Sequence, residues 1–188
     1  MSDPGRPSKD LGAVFDAHVR AEFVDKDVAE TMATMVAEPY VTHVPTLAGG
    51  TGRKEVESFY RSYFVGHWPA DVEVKTLSRT IGENRVVDEL IVSFTHDCEI
   101  ETYLPGVPPT GRKVVLPNVV VMGFDGDGKV AYEHIYWDQG SLLAQIGLLD
   151  PTALPVAGAE QASRLMDPRQ PANALIARFA QITREGRS

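Results

Sequence analysis

Val114-Val115-Leu116-Pro117-Asn118-Val119-Val120-Val121-Met122-Gly123-Phe124, then Asp125-Gly126-Asp127-Gly128, then Val130-Ala131-Tyr132-Glu133-His134-Ile135-Tyr136-Trp137-Asp138 is the stretch that decides the fold. Two runs of β-formers on either side of an Asp-Gly-Asp-Gly turn predict a long antiparallel hairpin. Alternation along its second strand puts Tyr132, His134, Tyr136 and Asp138 on one face and Glu133, Ile135 and Trp137 on the other. A face that carries a carboxylate, an imidazole and phenols has no easy packing explanation. If that face points into a cavity, its groups can bind or protonate a small molecule, with Glu133 and Trp137 facing the other way.

Working outward, the same signals recur upstream. Val72 to Leu77 and Arg85 to Asp97 flank a turn at Gly82-Glu83-Asn84 and predict another hairpin. Between the hairpins, Leu104-Pro105-Gly106-Val107-Pro108-Pro109-Thr110-Gly111-Arg112 is a proline-rich turn segment. Before them the period changes to helical. Leu11, Val14, Phe15, His18, Val19 and Phe23 form one amphipathic stripe. Asp27 is placed to cap a second, short helix carrying Val28, Met32, Met35 and Val36, stopped by Pro39. Tyr40 to Val44 is a short strand. The loop Leu47-Ala48-Gly49-Gly50-Thr51-Gly52 leads to a third helix with Val56, Phe59, Tyr60, Tyr63 and Phe64 as its apolar stripe. After Asp138 a short helix runs through Leu142, Leu143, Ile146 and Leu148. Helices first and long antiparallel strands after them make an α+β fold, a curved sheet wrapped around the helices. The organisation read from this pattern is a flexible tail over 1–10, one domain over 11–150, and a linker with a helical extension over 151–188. Weaker helix signals lie around Ala159–Met166 and Ala172–Ile182.

Composition narrows the function. The 188 residues suit one domain with a sizeable core. With 18 basic against 26 acidic residues the net charge is -8, which argues against nucleic acid or an anionic membrane surface as partner. No apolar run approaches the ~20 residues of a membrane span. No apolar signal core opens the chain, and a single cysteine, Cys98, excludes an internal disulfide framework. The expectation is an acidic cytoplasmic protein.

Several motifs can be set aside. Gly49-Gly50-Thr51-Gly52 lacks the Gly-Lys-Ser/Thr ending of a phosphate loop, and Asp125-Gly126-Asp127-Gly128 lacks the ligands of a calcium loop. The histidines show no metal-type pairing, Cys98 has no partner for a triad, and Ser141 has no nucleophile-elbow context. What remains is a set of acid–base and lining candidates. His96 closes a strand whose face it shares with Asp88, Leu90, Val92 and Phe94; it is either an acid–base group at the rim of an apolar surface or a histidine held by a strand-end carbonyl. Asp138 precedes an apolar helix; it is either that helix's N-cap, with weakened basicity, or a buried base. His43 and Trp68 are either pocket-lining or structural, and Glu89 is either a buried carboxylate or a solvated strand residue.

Thr95-His96-Asp97 followed by Leu104 to Arg112 resembles the "T-H-x-G … G-I-P-P-T-G-R" segment of SnoaL-like polyketide cyclases. Asp127-Gly128-Lys129-Val130, Glu133, Trp137-Asp138-Gln139 and Leu143-Ala144-Gln145-Ile146-Gly147 resemble that family's closing "D-G-K-I … E … W-D … L-x-Q-L-G" segment. The chain is also similar to uncharacterised relatives described as dienelactone-hydrolase-related. The resemblance implies the cone-shaped fold of nuclear transport factor 2, with three helices closing a curved antiparallel sheet around a pocket. It implies catalysis without metal or cofactor, an aspartate mapping onto Asp138 for proton transfer, and Thr95-His96 as the matching pair. Asp97 and Cys98 depart from the family's small residues, and His134-Ile135-Tyr136 from its Trp-containing sequence, so the pocket lining differs.

The expected function is therefore a cofactor-independent enzyme for a small hydrophobic or carbonyl-containing molecule, of cyclase, isomerase or lyase type. Asp138 and His96 would be its acid–base pair, with His43, Trp68, Glu89, His134 and Tyr136 binding substrate. An epoxide or lactone hydrolase, or a binding or assembly module without catalysis, are the alternatives. An apolar outer sheet face predicts a homodimer.

Overall fold

The computed structural model describes residues 9–185; of the tail expected over 1–10, all but the last two residues lie outside the described ones. The helical period of the first stripe gives α1 (Leu11–Phe23), opened by Asp10, whose carboxylate accepts from the Ala13 amide. Asp27 caps α2 (Val28–Ala33), accepting from the amides of Ala29 and Glu30. That helix is shorter than its apolar spacing predicts. Met35 and Val36 belong to β1 (Met35–His43), which starts ahead of Pro39 and runs through it instead of beginning after it at Tyr40. Proline is tolerated there because the pairing of β1 with its long neighbour shifts register between Met35 and Tyr40, so no ladder bond is needed from residue 39.

The expected Gly-rich loop is a strand as well. β2 (Ala48–Thr51) folds back on β1 with His43 opposite Ala48. Only glycine permits this approach: a Cβ on Gly49 would stand 2.0 Å from the Val41 carbonyl oxygen, and one on Gly50 2.8 Å from the Glu55 backbone. α3 (Arg53–Phe59) continues into a π-helical turn, Tyr60–Phe64. The wider turn rotates the side chains that follow, so Tyr60 and Phe64 enter the core while Tyr63, expected in the stripe, is 50% exposed.

The two hairpins form as read. β3 (Glu73–Ile81) pairs with β4 (Arg85–Thr95), and β5 (Lys113–Phe124) with β6 (Val130–Trp137). Asp125 locks the second turn by accepting from the amides of Asp127 and Lys129. The six strands run in the order β2-β1-β6-β5-β4-β3, a curved sheet that does not close. Every neighbouring pair is antiparallel except β1 and β6, which are parallel. A parallel pair needs a crossover, here supplied by everything between His43 and Val130.

One sheet face packs on the helices. Val86, Val92 and Phe94 of β4 meet Leu116 and Met122 of β5, Ile135 and Trp137 of β6, and Phe15, Met32, Val56, Phe59 and Phe64 from the helical side. Burying each of these side chains is worth roughly 1.5–3 kcal/mol against leaving it in water. The remaining helices are α4 (Gln139–Gln145), α5 (Glu160–Met166) and α6 (Ala174–Glu185). Gln145 bonds both backbone groups of Val115, where β5 extends beyond its pairing with β6. α5 packs against β5 with Ala162 fully buried. No helix among the described residues is long and apolar enough to cross a membrane.

Candidate active site

The parity read for β6 holds, but its sense is the reverse of the one that would put the polar trio inside. Glu133, Ile135 and Trp137 point to the helices and are buried, whereas Tyr136 is 42% exposed and His134 half-buried on the outer face. There His134 packs between Tyr132 at 4.7 Å and Tyr40 at 5.5 Å, ring centroid to ring centroid. The large apolar pair Ile135 and Trp137 decides the sense, because a strand with one buried face turns its heaviest hydrophobic residues inward. Glu133 goes in with them.

Between α1 and the inner sheet face lies a cavity of about 580 Å³, including its open end. Phe15, Val19, Leu90, Val92, Val120 and Ile135 give it apolar walls; its polar groups are Glu22, His43, Trp68, Tyr103, Asn118 and Glu133. The two carboxylates meet in one buried cluster with His18 and Tyr60. His18 Nε2 lies 3.3 Å from Glu22 Oε1 and 3.4 Å from Glu133 Oε2, and Tyr60 donates its hydroxyl hydrogen to Glu133 Oε2 at 2.7 Å. On the far side of the ring, Thr34 Oγ1 donates to the Thr31 carbonyl at 2.7 Å, so its lone pair is what His18 Nδ1 meets at 2.5 Å. Nδ1 therefore carries a proton, and Nε2 is the nitrogen turned to the carboxylates.

Charge in this setting is dictated by burial and by neighbours. Burial disfavours the imidazolium of His18, yet the charges of Glu133 and Glu22 and their hydrogen bonds outweigh it and raise its pKa to about 10. Burial also pushes Glu133 up, but the His18 charge and the hydrogen bonds from His18 and Tyr60 reverse this and leave it below the ordinary carboxylate value. Glu22 goes the other way. Burial, reinforced by the Glu133 charge, raises it against the pull of His18. The cluster thus sets the His18 imidazolium between two carboxyl groups pushed in opposite directions, Glu133 down and Glu22 up. His43, packed among Phe59, Phe64, Tyr103 and Trp137, is lowered by burial to about 4 against the pull of Glu133, and is neutral.

Of the residues singled out from the sequence, His43 and Trp68 stand in the cavity wall. The others are not brought to it. Asp138 is exposed and caps α4, its Oδ1 accepting from the Ser141 amide at 3.1 Å and its Oδ2 from Gln161 Nε2 at 2.6 Å. His96 is buried at the end of β4 with Nδ1 3.1 Å from Thr110 Oγ1, and its backbone carbonyl accepts from the Thr110 and Gly111 amides. Burial lowers its pKa against the pull of Asp97. Glu89 accepts from Ser78 Oγ at 3.2 Å on the opposite sheet face. His134 and Tyr136 occupy the outer face described above. Glu22, Tyr60, Tyr103 and Asn118 enter the site without having been singled out. A signal existed for one pair: His18 and Glu22 stand four apart on α1, a carboxylate placed beside a histidine within an apolar stripe.

Nε2 of His18 and one oxygen each of Glu22 and Glu133 lie within 4.8 Å of one another, a donor set that suits a divalent cation. Seating one there would require His18 Nε2 to give up its proton.

A family model described as the SnoaL-like domain matches residues 15–133. No curated protein matches the sequence. Among solved structures, the chain is similar to a nuclear transport factor 2-like protein of unknown function from Burkholderia pseudomallei: 19% identity, 74% of this chain and 98% of that one, TM-score 0.56. It is similar to a candidate SnoaL-like polyketide cyclase from Jannaschia sp. CCS1, at 17% identity over 79% of this chain and 100% of that one, TM-score 0.56. It is also similar to SalBIII, an epoxide hydrolase/cyclase-like enzyme of pyran ring formation in salinomycin, at 15% identity over 68% and 90%, TM-score 0.51. These likenesses show the fold, the cone of the nuclear transport factor 2-like group.

Proposed function

The chain belongs to the SnoaL-like domain family, and we propose that it is an enzyme that moves a proton on a small carbonyl-containing molecule held in the cone. The observation that carries this reading is the pair Glu22 and Glu133. Two carboxyl groups share one apolar cavity, and their surroundings push one above and the other below its ordinary pKa. That is a general acid beside a general base. The acid–base role expected of Asp138 and His96 is assigned here to Glu133 and Glu22, because these are the carboxyl groups that face the cavity.

In this mechanism the Glu133 carboxylate takes a proton from the carbon next to a carbonyl, while the Glu22 carboxyl group gives its proton to the carbonyl oxygen. The product of that step is a neutral enol, so charge in the cavity is conserved. His18 holds Glu133 ionised and oriented, and is itself fixed through Nδ1 by Thr34. A lowered pKa weakens Glu133 as a base. The C–H bond it breaks must therefore already be acidic, as it is between two carbonyls or next to one that Glu22 polarises. From the enol, reprotonation at another carbon gives an isomer and attack on a second carbonyl closes a ring.

The test needs no knowledge of the final product. 2-Tetralone, a neutral ketone that exchanges slowly by itself, is incubated in deuterated water with the protein, and exchange of the α-hydrogens above the uncatalysed rate is followed by NMR. Wild-type protein should accelerate exchange, Glu133→Gln should lose ~10²-fold or more of the acceleration, and removal of divalent metal by a chelator should change nothing. Undiminished exchange in Glu133→Gln overturns the reading; loss on chelation moves the chemistry to a metal at the same cluster. Solvent oxygen-18 in a lactone or epoxide product would assign hydrolysis instead.

A further inference from the structure

Two polar atoms carried by the cavity wall have no partner. His43 Nδ1 and Trp68 Nε1 are buried, and among the described residues neither makes a hydrogen bond. Protein interiors leave few such atoms unpaired, since each has given up water for nothing. Apart from Glu22, 3.3 Å from His18 Nε2, the other polar groups of the wall are committed. Tyr103 donates to Asn118 Oδ1 at 2.6 Å, and Asn118 donates to the Leu116 carbonyl at 3.0 Å. Glu133 is held by Tyr60 and His18. The unsatisfied pair belongs to one region: both rings pack on Phe64, with centroids 5.3 Å and 5.8 Å away, and both on Tyr103, at 6.3 Å and 4.9 Å.

The chemistry of the two atoms restricts what can satisfy them. An indole nitrogen only donates, so Trp68 requires an acceptor. His43 Nδ1 in the neutral ring is either a donor or a lone pair: a hydroxyl oxygen answers it in either tautomer, a carbonyl oxygen only where Nδ1 carries the proton. Charge restricts the ligand further. None of the described residues that line the cavity is a lysine or an arginine, while Glu133 is ionised there, so a carboxylate ligand would be buried without a counter-charge.

We infer that His43 and Trp68 recognise an uncharged hydroxyl or carbonyl oxygen on a ring-bearing ligand, and that together with the missing basic residues they set the specificity of the cavity. This deepens the proposed function, resting on it for the use of the site but not for the binding itself. The bound ring lies against Phe64 and Tyr103, its oxygen turned to the His43–Trp68 corner.

Binding to the full chain is measured by calorimetry with four probes built on one ring and substituted at one position: 2-naphthol, naphthalene itself, 2-naphthoate and 2-naphthylmethylammonium. The expected order puts 2-naphthol about tenfold or more ahead of naphthalene, with 2-naphthoate weakest. Trp68→Phe should keep the affinity for naphthalene and erase most of the advantage of 2-naphthol. His43→Phe should do the same if it folds; where it does not, the Trp68 variant decides. Glu133→Gln should keep the preference for 2-naphthol even though it ends proton exchange, so the recognition and the proposed chemistry fail separately. Equal binding of 2-naphthol and naphthalene, tightest binding of either charged probe, binding of none, or an undiminished preference in Trp68→Phe each overturns the inference.

Discussion

Glu133 and Asp138 leave the same strand in opposite directions and meet opposite fates. Glu133 is carried inward by its neighbours Ile135 and Trp137 and ends 5% exposed, with an imidazolium and a phenol as partners. Asp138 emerges where β6 gives way to α4 and is taken up by the backbone amide of Ser141 and the amide side chain of Gln161. One carboxylate has been stripped of water and must be balanced by charge. The other satisfies a helix start and ties the domain to its C-terminal extension. The residue type is nearly the same; the dielectric and the partners make one a candidate for chemistry and the other a fastener.

The contrast can be broken first in activity. Asp138→Asn should leave proton exchange within about threefold of wild type, while Glu133→Gln loses most of the ~10²–10⁴-fold that a general base contributes; equal losses would erase the distinction. Next comes stability. Glu133→Ala leaves the His18 imidazolium buried with its main partner gone, and should destabilise the fold by about 3–5 kcal/mol in urea titrations. Asp138→Ala removes a cap and should cost about 0.5–2 kcal/mol. A loss at Asp138 as large as that at Glu133 would mean that the interior cluster is not the more heavily loaded site.

Much of the fold was legible because its periods are clean. The stripe of α1, the cap at Asp27 and the two hairpins follow from spacing alone. β2 was hidden because Gly49 and Gly50 carry the composition of a loop, and their reason for being glycine is a close approach to β1 and to α3 that spacing does not display. β1 was cut short at Pro39 because the register shift that accommodates the proline belongs to the pairing with β6, not to the local chain. At the site, alternation sorted the residues of β6 correctly into two sets. Choosing the inward set by its chemistry rather than by the bulk of Ile135 and Trp137 reversed their orientation. Glu133 was visible within the closing segment. Its partners were not, since His18, Glu22 and Tyr60 come from two helices that only the folded cone brings to one point.

The central claim is that a protonated His18 sits in the cone with Glu133 ionised beside it. A base whose folded pKa is raised from 6.5 to about 10 contributes stability that is complete below 6.5 and is lost as pH rises through 10. His43, lowered to about 4, contributes above 6.5 and loses that contribution as pH falls through 4, so the two histidines bracket the stable range from opposite sides. The most direct measurement is the nitrogen-15 NMR spectrum of the His18 ring at pH 8, assigned with a His18→Gln variant. Both ring nitrogens should be protonated at that pH and should lose this state only toward pH 10; a neutral ring at pH 8 with a bare Nε2 would contradict the account.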